Sequence, residues 1–276
     1  MEQNPFFTII IPTLNEEKLL PRLLSDLRKQ KVKNFEVIIV DGCSQDKTKD
    51  ITTDFKKYLS LKFIEAKKPN VSNQKNIGAE AASGRYLIFL DADMHISTAF
   101  TASAERQIKR KRGLIFIPYV YPNEKKEYPD VSAIFLVLNK LVELSQNLNK
   151  PFSGGPSIIF EKNTFRMIDG FDNIFGEDHY IVRKAYKWGI KTKILPSLKV
   201  QFSLRRMKRE GRLKLFYHFA AAHISLLFKD QLNQKIFKYK MGGHLDKDIH
   251  KPGNQDQLEK LLGRVNGFFR VFLQEE

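Results

Sequence analysis

Cysteine is all but missing from this chain. Cys43 stands alone, which excludes an internal disulfide and any multi-cysteine zinc site and suits a reducing, cytoplasmic setting. Long apolar runs are missing too. The longest uncharged ones, "VSAIFLVLN" and "LFYHFAAAHISLLF", fall short of the roughly 18 to 20 residues a membrane-spanning helix needs. The opening "MEQNPFFTIII" has neither the basic region nor the small-residue cleavage site of a secretory signal and reads as a first strand. Acidic residues are scarce: 31 Asp and Glu against 47 Lys and Arg leave a net charge of +16. Such an excess attracts nucleotides, nucleic acid or an anionic membrane surface. No helix-turn-helix, zinc or RNP-like pattern accompanies it, so nucleic acid is not the expected partner.

What is present is an ordinary globular composition, 42% hydrophobic and 28% charged, in a chain of 276 residues. That length suits one large α/β domain with an appendage. Through residue 120, short β-branched runs ("FFTIIIP", "FEVIIVD", "LKFIEA", "YLIFLDAD", "GLIFIPYV") alternate with amphipathic stretches such as "NEEKLLPRLLSDLRKQ". The alternation predicts a parallel sheet covered on both faces. Beyond it come a charged loop, a helix over about 131–148, a Gly/Pro turn entering the short strand "PSIIF", a helix in "GEDHYIVRKAYKWG" stopped by Gly189, and a strand near 193–202. The basic run "SLRRMKREGRLK" then leads to two expected helices, about 213–227 and 257–273.

Ligands of open α/β sheets gather at the carboxyl ends of the strands, so the polar residues that follow each run are the candidates. Asp91 and Asp93 end the fourth run; on an extended backbone both would point the same way, toward one hard divalent cation. Two acids ending a strand in solvent would look the same. Asp41 can accept from a base or ribose, or with Gly42 shape a turn; Thr13 and Asn15 can serve a nucleotide or cap the next helix. Glu177 and Asp178 open a helix, where free N–H groups favour carboxylates. The neighbouring His179 is expected on the helix surface.

Taken in order, "FTIIIPTLNEEKLLPRLLSDL", "FEVIIVDGCSQDKT", "NQKNIGAEAASGRYLIFLDADMHIS", "GGPSIIFEKNTFRMIDGFDNIFGEDHYIVRKAYKWG" and "FSLRR" resemble the successive blocks of family 2 glycosyltransferases with the GT-A fold, over about residues 6–206. The resemblance implies a mostly parallel central sheet flanked by helices. It implies a catalytic domain at 1–206, with residues 1–120 binding the nucleotide sugar and 121–206 the acceptor, and a basic helical extension at 207–276. Pro12, Thr13, Asn15, Glu16 and Asp41 match the nucleotide-binding blocks. Asp91, Ala92 and Asp93 match the D-x-D motif that holds Mg²⁺ or Mn²⁺ and the diphosphate. Lys75, followed by Asn76, stands where many members carry Arg-Asn, so the charge is kept but the planar fork is lost.

Asp178 matches the family's catalytic base, with Glu177, Gly154 and Gly155 on the acceptor side, and Arg205 and Arg206 match a basic loop that clamps the departing diphosphate. The implied activity is inverting transfer of one sugar from a nucleoside-diphosphate sugar to a hydroxyl acceptor. A lipid-linked acceptor is expected if the C-terminal basic and apolar segment lies on the inner face of the cell membrane; its burial against the catalytic domain is the alternative. A sugar nucleotidyltransferase and a non-catalytic basic nucleotide- or nucleic-acid-binding protein are the other classes. The first would call for a Gly-rich basic loop where this chain has "PTLNEE".

Overall fold

The computed structural model describes residues 4–123, 129–174 and 176–205. The chain falls into two compact units, Met1–Ser203 and Leu204–Glu276. Arg206, the extension at 207–276 and its two expected helices lie outside the described residues. No helix among the described residues is long and apolar enough to cross a membrane.

The first unit opens with β1 (Phe7–Thr13), α1 (Leu20–Arg28), β2 (Phe35–Asp41), α2 (Thr48–Phe55), β3 (Leu61–Glu65), α3 (Val71–Glu80) and β4 (Tyr86–Leu90). A short β5 (Met94–Ile96), α4 (Phe100–Lys111), β6 (Ile115–Pro122), α5 (Pro129–Ser145), β7 (Ser157–Glu161), α6 (Lys162–Met167), α7 (Glu177–Lys187) and β8 (Thr192–Phe202) complete it. The eight strands form one sheet in the order β3-β2-β1-β4-β7-β6-β8-β5. The first four are parallel, as their unbroken apolar runs predict. β7 runs antiparallel between β4 and β6, and β5 antiparallel to β8, so the sheet is mixed rather than wholly parallel. The strand expected near 193–202 is eleven residues long, lies between β6 and the edge strand β5, and shifts register against β6 between Pro118 and Tyr119.

Every residue of β1 is buried, which is why its sequence does not alternate. One face packs Phe7, Ile9 and Ile11 on Leu20, Leu23, Leu24 and Leu27, the i, i+3, i+4, i+7 stripe of α1. On the other face α3 lies so close that a Cβ on Gly78 would come within 2.5 Å of Ile10 Cγ2. A second cluster, Phe89, Phe160, Phe165 and Phe171, joins β4 to β7 and to the turn before α7.

At the amino edge Glu36 holds three chain segments together. Its Oε1 accepts from Thr8 Oγ1 (2.6 Å), Ser83 N (2.6 Å), Ser83 Oγ (2.7 Å) and Gly84 N (3.3 Å). Burial works to raise the Glu36 carboxyl, but these donors outweigh it and hold the group below its ordinary value. A carboxylate so lowered stabilises the native state above its unfolded value and stops doing so as pH falls through the folded one. Glu36→Gln is therefore expected to lose about 1–3 kcal/mol in urea unfolding at neutral pH. Its deficit against the unsubstituted protein should shrink as the acid range is entered, and a gap that widens there would contradict the assignment.

Candidate active site

The carboxyl ends of β1 and β2 meet at a buried pair. Thr13 and Asp41 are register partners, and the Thr13 hydroxyl donates to Asp41 Oδ1 at 2.8 Å. Ser44 adds its hydroxyl to the same oxygen (2.6 Å) and its N–H to Oδ2 (2.8 Å). Asn15, in the left-handed region at φ 55°, donates its N–H to the Ser44 hydroxyl oxygen while its side-chain oxygen accepts from Gln45 N (2.7 Å). Glu16 N donates to Thr48 Oγ1, and its carbonyl receives the first N–H groups of α1. The segment after β1 is thus laced to the segment after β2, and Thr13, Asn15, Glu16 and Asp41 share one edge. β1 pairs with β4 only as far as Ile10 and Phe89, so Ile11, Pro12 and Thr13 continue along β2 alone and the two central strands part at this edge. Pro12, which has no N–H to give, suits that parting.

β4 ends at Leu90. Asp91 and Asp93 do not lie on an extended backbone: Met94 N returns to Asp91 O at 3.1 Å, closing a turn in which Ala92 is buried. The expected side-by-side strand geometry is replaced by a turn because β5 must leave β4 and cross to pair with β8. Asp93 nonetheless acts on Asp91 through its charge.

Facing Asp91 is Lys75 of α3, 6% exposed and not the solvated flank residue its sequence position allows. Its Nζ lies 2.8 Å from Glu177 Oε1 and 5.1 Å from the centre of the Phe171 ring. Burial works to lower the Lys75 ammonium, but Glu177, Asp91 and Asp178 together outweigh it and the group is raised. Asp91 feels the reverse balance: burial pushes its carboxyl up to about 7, Lys75 pulls it down, and Asp93, Glu177 and Asp178 raise it again. One cation thus serves several acids. The negative excess at Asp91 and Asp93 fits a hard divalent ion, which commonly takes one or two protein carboxylates and completes its shell with water and substrate phosphates. No group of three or more His, Cys, Asp or Glu side chains placed to hold a metal occurs among the described residues.

The acid pair opening α7 is held from two sides. Asn76 clasps Phe171, donating from Nδ2 to its carbonyl (2.8 Å) and accepting its N–H (2.9 Å). From the other side Gly155, at φ 100°, lies so near Asp178 that a Cβ there would be 3.3 Å from Oδ2. Gly154 faces Val142 of α5 instead. His179 is not a surface residue: its Nδ1 sits 2.8 Å from Ser153 O, tying "PFSGG" to α7. Arg205 is described but belongs to the second unit, and Arg206 lies outside the described residues.

Gln74 was not among the sequence candidates. Its amide donates to Thr13 O (2.8 Å) and Val40 O (2.7 Å), bridging the ends of β1 and β2. With Lys75 and Asn76 beside it, α3 ties the β1–β2 end to α7. The one signal was the polar run "SNQKN" on a helix that must cover an apolar sheet.

A family model, "Glycosyl transferase family 2", matches residues 8–169, more than half of the chain. The chain belongs to glycosyl transferase family 2. It is 35% identical over 95 residues to the poly(ribitol-phosphate) beta-N-acetylglucosaminyltransferase TarS of Staphylococcus aureus, covering 33% of this chain and 17% of that one. It is 30% identical over 197 residues to the 4,4'-diaponeurosporenoate glycosyltransferase of Staphylococcus haemolyticus, covering 62% and 48%. The family 2 chain thus spans less than half the length of either curated relative. Among solved structures, S. aureus TarS 1-349 in complex with UDP-GlcNAc superposes with a TM-score of 0.58 at 22% identity, covering 83% of this chain and 68% of that one. The mannosyltransferase PcManGT from Pyrobaculum calidifontis in complex with GDP-Man and Mn²⁺ gives 0.65 at 18%, covering 89% and 68%. The fold of this family 2 member is therefore of the GT-A type.

Removing Lys75 should be costly, because a buried pair broken on one side leaves uncompensated charge. Lys75→Met is expected to lose about 3–5 kcal/mol in chemical denaturation. The double variant with Glu177→Gln should recover part of that loss, whereas strictly additive losses would show that the two side chains do not depend on each other.

Proposed function

We propose that this protein is an inverting, metal-dependent glycosyltransferase that moves one sugar from a nucleoside-diphosphate sugar to a hydroxyl acceptor. The observation that carries the reading is that Lys75 joins the two halves of the site. Through it the acid after β4, Asp91, and the acid at the start of α7, Asp178, belong to one electrostatic group. A donor spread across the ends of β1, β2 and β4 would have its base and ribose near Asp41, Thr13 and Asn15 and its diphosphate toward Asp91, Ala92 and Asp93. Residues 1–206 form the catalytic domain in this reading, with Arg205 and Arg206 the candidates to meet the departing phosphates.

Asp178 is the base. As the acceptor oxygen bonds to the anomeric carbon, its proton passes to the Asp178 carboxylate, and the bond from that carbon to the diphosphate oxygen breaks, its electron pair leaving with the nucleoside diphosphate. Attack from the face opposite the leaving group inverts the configuration. Mg²⁺ or Mn²⁺ held through Asp91 and Asp93 would supply positive charge for the leaving diphosphate. Gly155 leaves the space beside Asp178 that an acceptor hydroxyl needs, since any side chain there would press on Oδ2.

The acceptor is a hydroxyl on a glycan or on a lipid-linked carrier. One relative is named for poly(ribitol-phosphate), a polymer rich in hydroxyls, which supports a hydroxyl acceptor on a polymer, and another for 4,4'-diaponeurosporenoate, an apolar carboxylate, which supports only the lipid character of an acceptor. Asp178→Asn should leave donor affinity nearly unchanged and lower turnover by about a hundredfold or more, the usual size of a general-base contribution. Paired donor titrations and single-turnover assays check this; an undiminished rate would remove Asp178 from the role.

A further inference from the structure

The reaction leaves the net charge of +16 unexplained, because acids outnumber bases at the carboxyl edge: segments 14–19, 41–47, 66–70 and 91–93 hold six Asp and Glu against Lys18, Lys47, Lys67 and Lys68. Within the described residues the positive excess collects at the other end of the sheet. Segments 28–34, 54–60, 80–85 and 109–114 hold eleven Lys and Arg against two acids, Asp54 and Glu80. The ladder brings these segments to one edge: Phe6 N bonds to Asn34 O, Val37 N to Ser60 O, Arg85 N to Pro5 O and Glu161 N to Leu114 O.

Helix dipoles account for part of this, since Arg28 closes α1 and Lys109, Arg110 and Lys111 close α4. They do not account for Lys31, Lys33, Lys57 and Arg85, which lie beyond the helix ends and are exposed. Interspersed with them are exposed apolar side chains, Val32 (37%), Tyr58 (42%) and Leu114 (41%), and the Arg28 guanidinium lies 3.8 Å over the Tyr58 ring.

We propose that this amino edge is a docking surface for an anionic phospholipid bilayer. The charge complements lipid phosphates. The basic groups are spread along a line several strands wide rather than gathered on one element, which suits a plane. Val32 and Leu114 have a use in the headgroup region, where apolar side chains insert, and none against a nucleic-acid backbone. The surface lies wholly within the described unit and owes nothing to residues 206–276, nor does it depend on the proposed transfer reaction. Because a strand rises about 3.3 Å per residue, the seven residues of β1 put the acid edge about 20 Å from the basic one. Docked this way, the site faces away from the bilayer, and a lipid-linked acceptor must carry its hydroxyl on a chain that reaches that far.

Flotation of the full chain tests this with vesicles of phosphatidylcholine alone and of phosphatidylcholine with phosphatidylglycerol, at low and high salt. Binding is expected only to the anionic vesicles and should fall with salt. Lys31→Glu, Lys33→Glu and Lys57→Glu combined should weaken it at least tenfold while thermal unfolding and donor binding stay unchanged. Val32→Ser with Leu114→Ser should weaken vesicle binding but not any binding to duplex DNA. Three outcomes overturn the proposal: no binding to anionic vesicles at low salt; full binding by the triple variant, with loss instead on Lys208→Glu, Arg209→Glu and Arg212→Glu; or tight duplex binding abolished by the triple variant without vesicle binding.

Discussion

One buried ammonium holds the site together. Lys75 lies under the first turn of α7 with Glu177 as its close partner and Asp91 and Asp178 within reach of its charge. Without a cation there, three carboxylates from two distant segments would face one another in a poorly solvated space, an arrangement each would relieve by taking up a proton or moving apart. With it, α3 becomes the member on which both halves are set. Gln74 fixes the ends of β1 and β2, Asn76 fixes the backbone at Phe171, and Lys75 fixes the acids between them. The close seating of α3 on Ile10, permitted by Gly78, gives these three consecutive residues their reach.

The balance of charge follows from the same constraint. The charged side chains that act on Asp91 are mostly acids, Asp93, Glu177 and Asp178, with Lys75 the base among them. Within the described residues the basic excess is held largely at the opposite edge. Acids thus outnumber bases at one edge of the sheet and bases outnumber acids at the other.

Much of this was legible in the sequence. The runs ending in Thr13, Asp41 and Leu90 announced parallel strands because each is buried on both faces, and the polar residues after them mark the functional edge for the same reason. What was not legible depended on partners far along the chain. Lys75 looks like a solvated helix residue until its partner 102 positions away is known. The turn at Asp91–Asp93 follows from where β5 must go, and β7 enters antiparallel between β4 and β6; neither is written in local periodicity. His179 likewise looked superficial, since nothing near it in sequence shows that Ser153 O would sit against its ring.

The central claim is that the carboxyl edge is a sugar-nucleotide site completed by a divalent ion through Asp91. The most direct measurement is a thermal-shift panel of sugar nucleotides with and without Mn²⁺, run on the unsubstituted protein and on Asp91→Asn, since a ligand of the native state raises apparent stability with its concentration. A shift for one nucleotide class that requires the metal and disappears in Asp91→Asn is the result this account predicts. Equal shifts in both proteins, with or without metal, would contradict it.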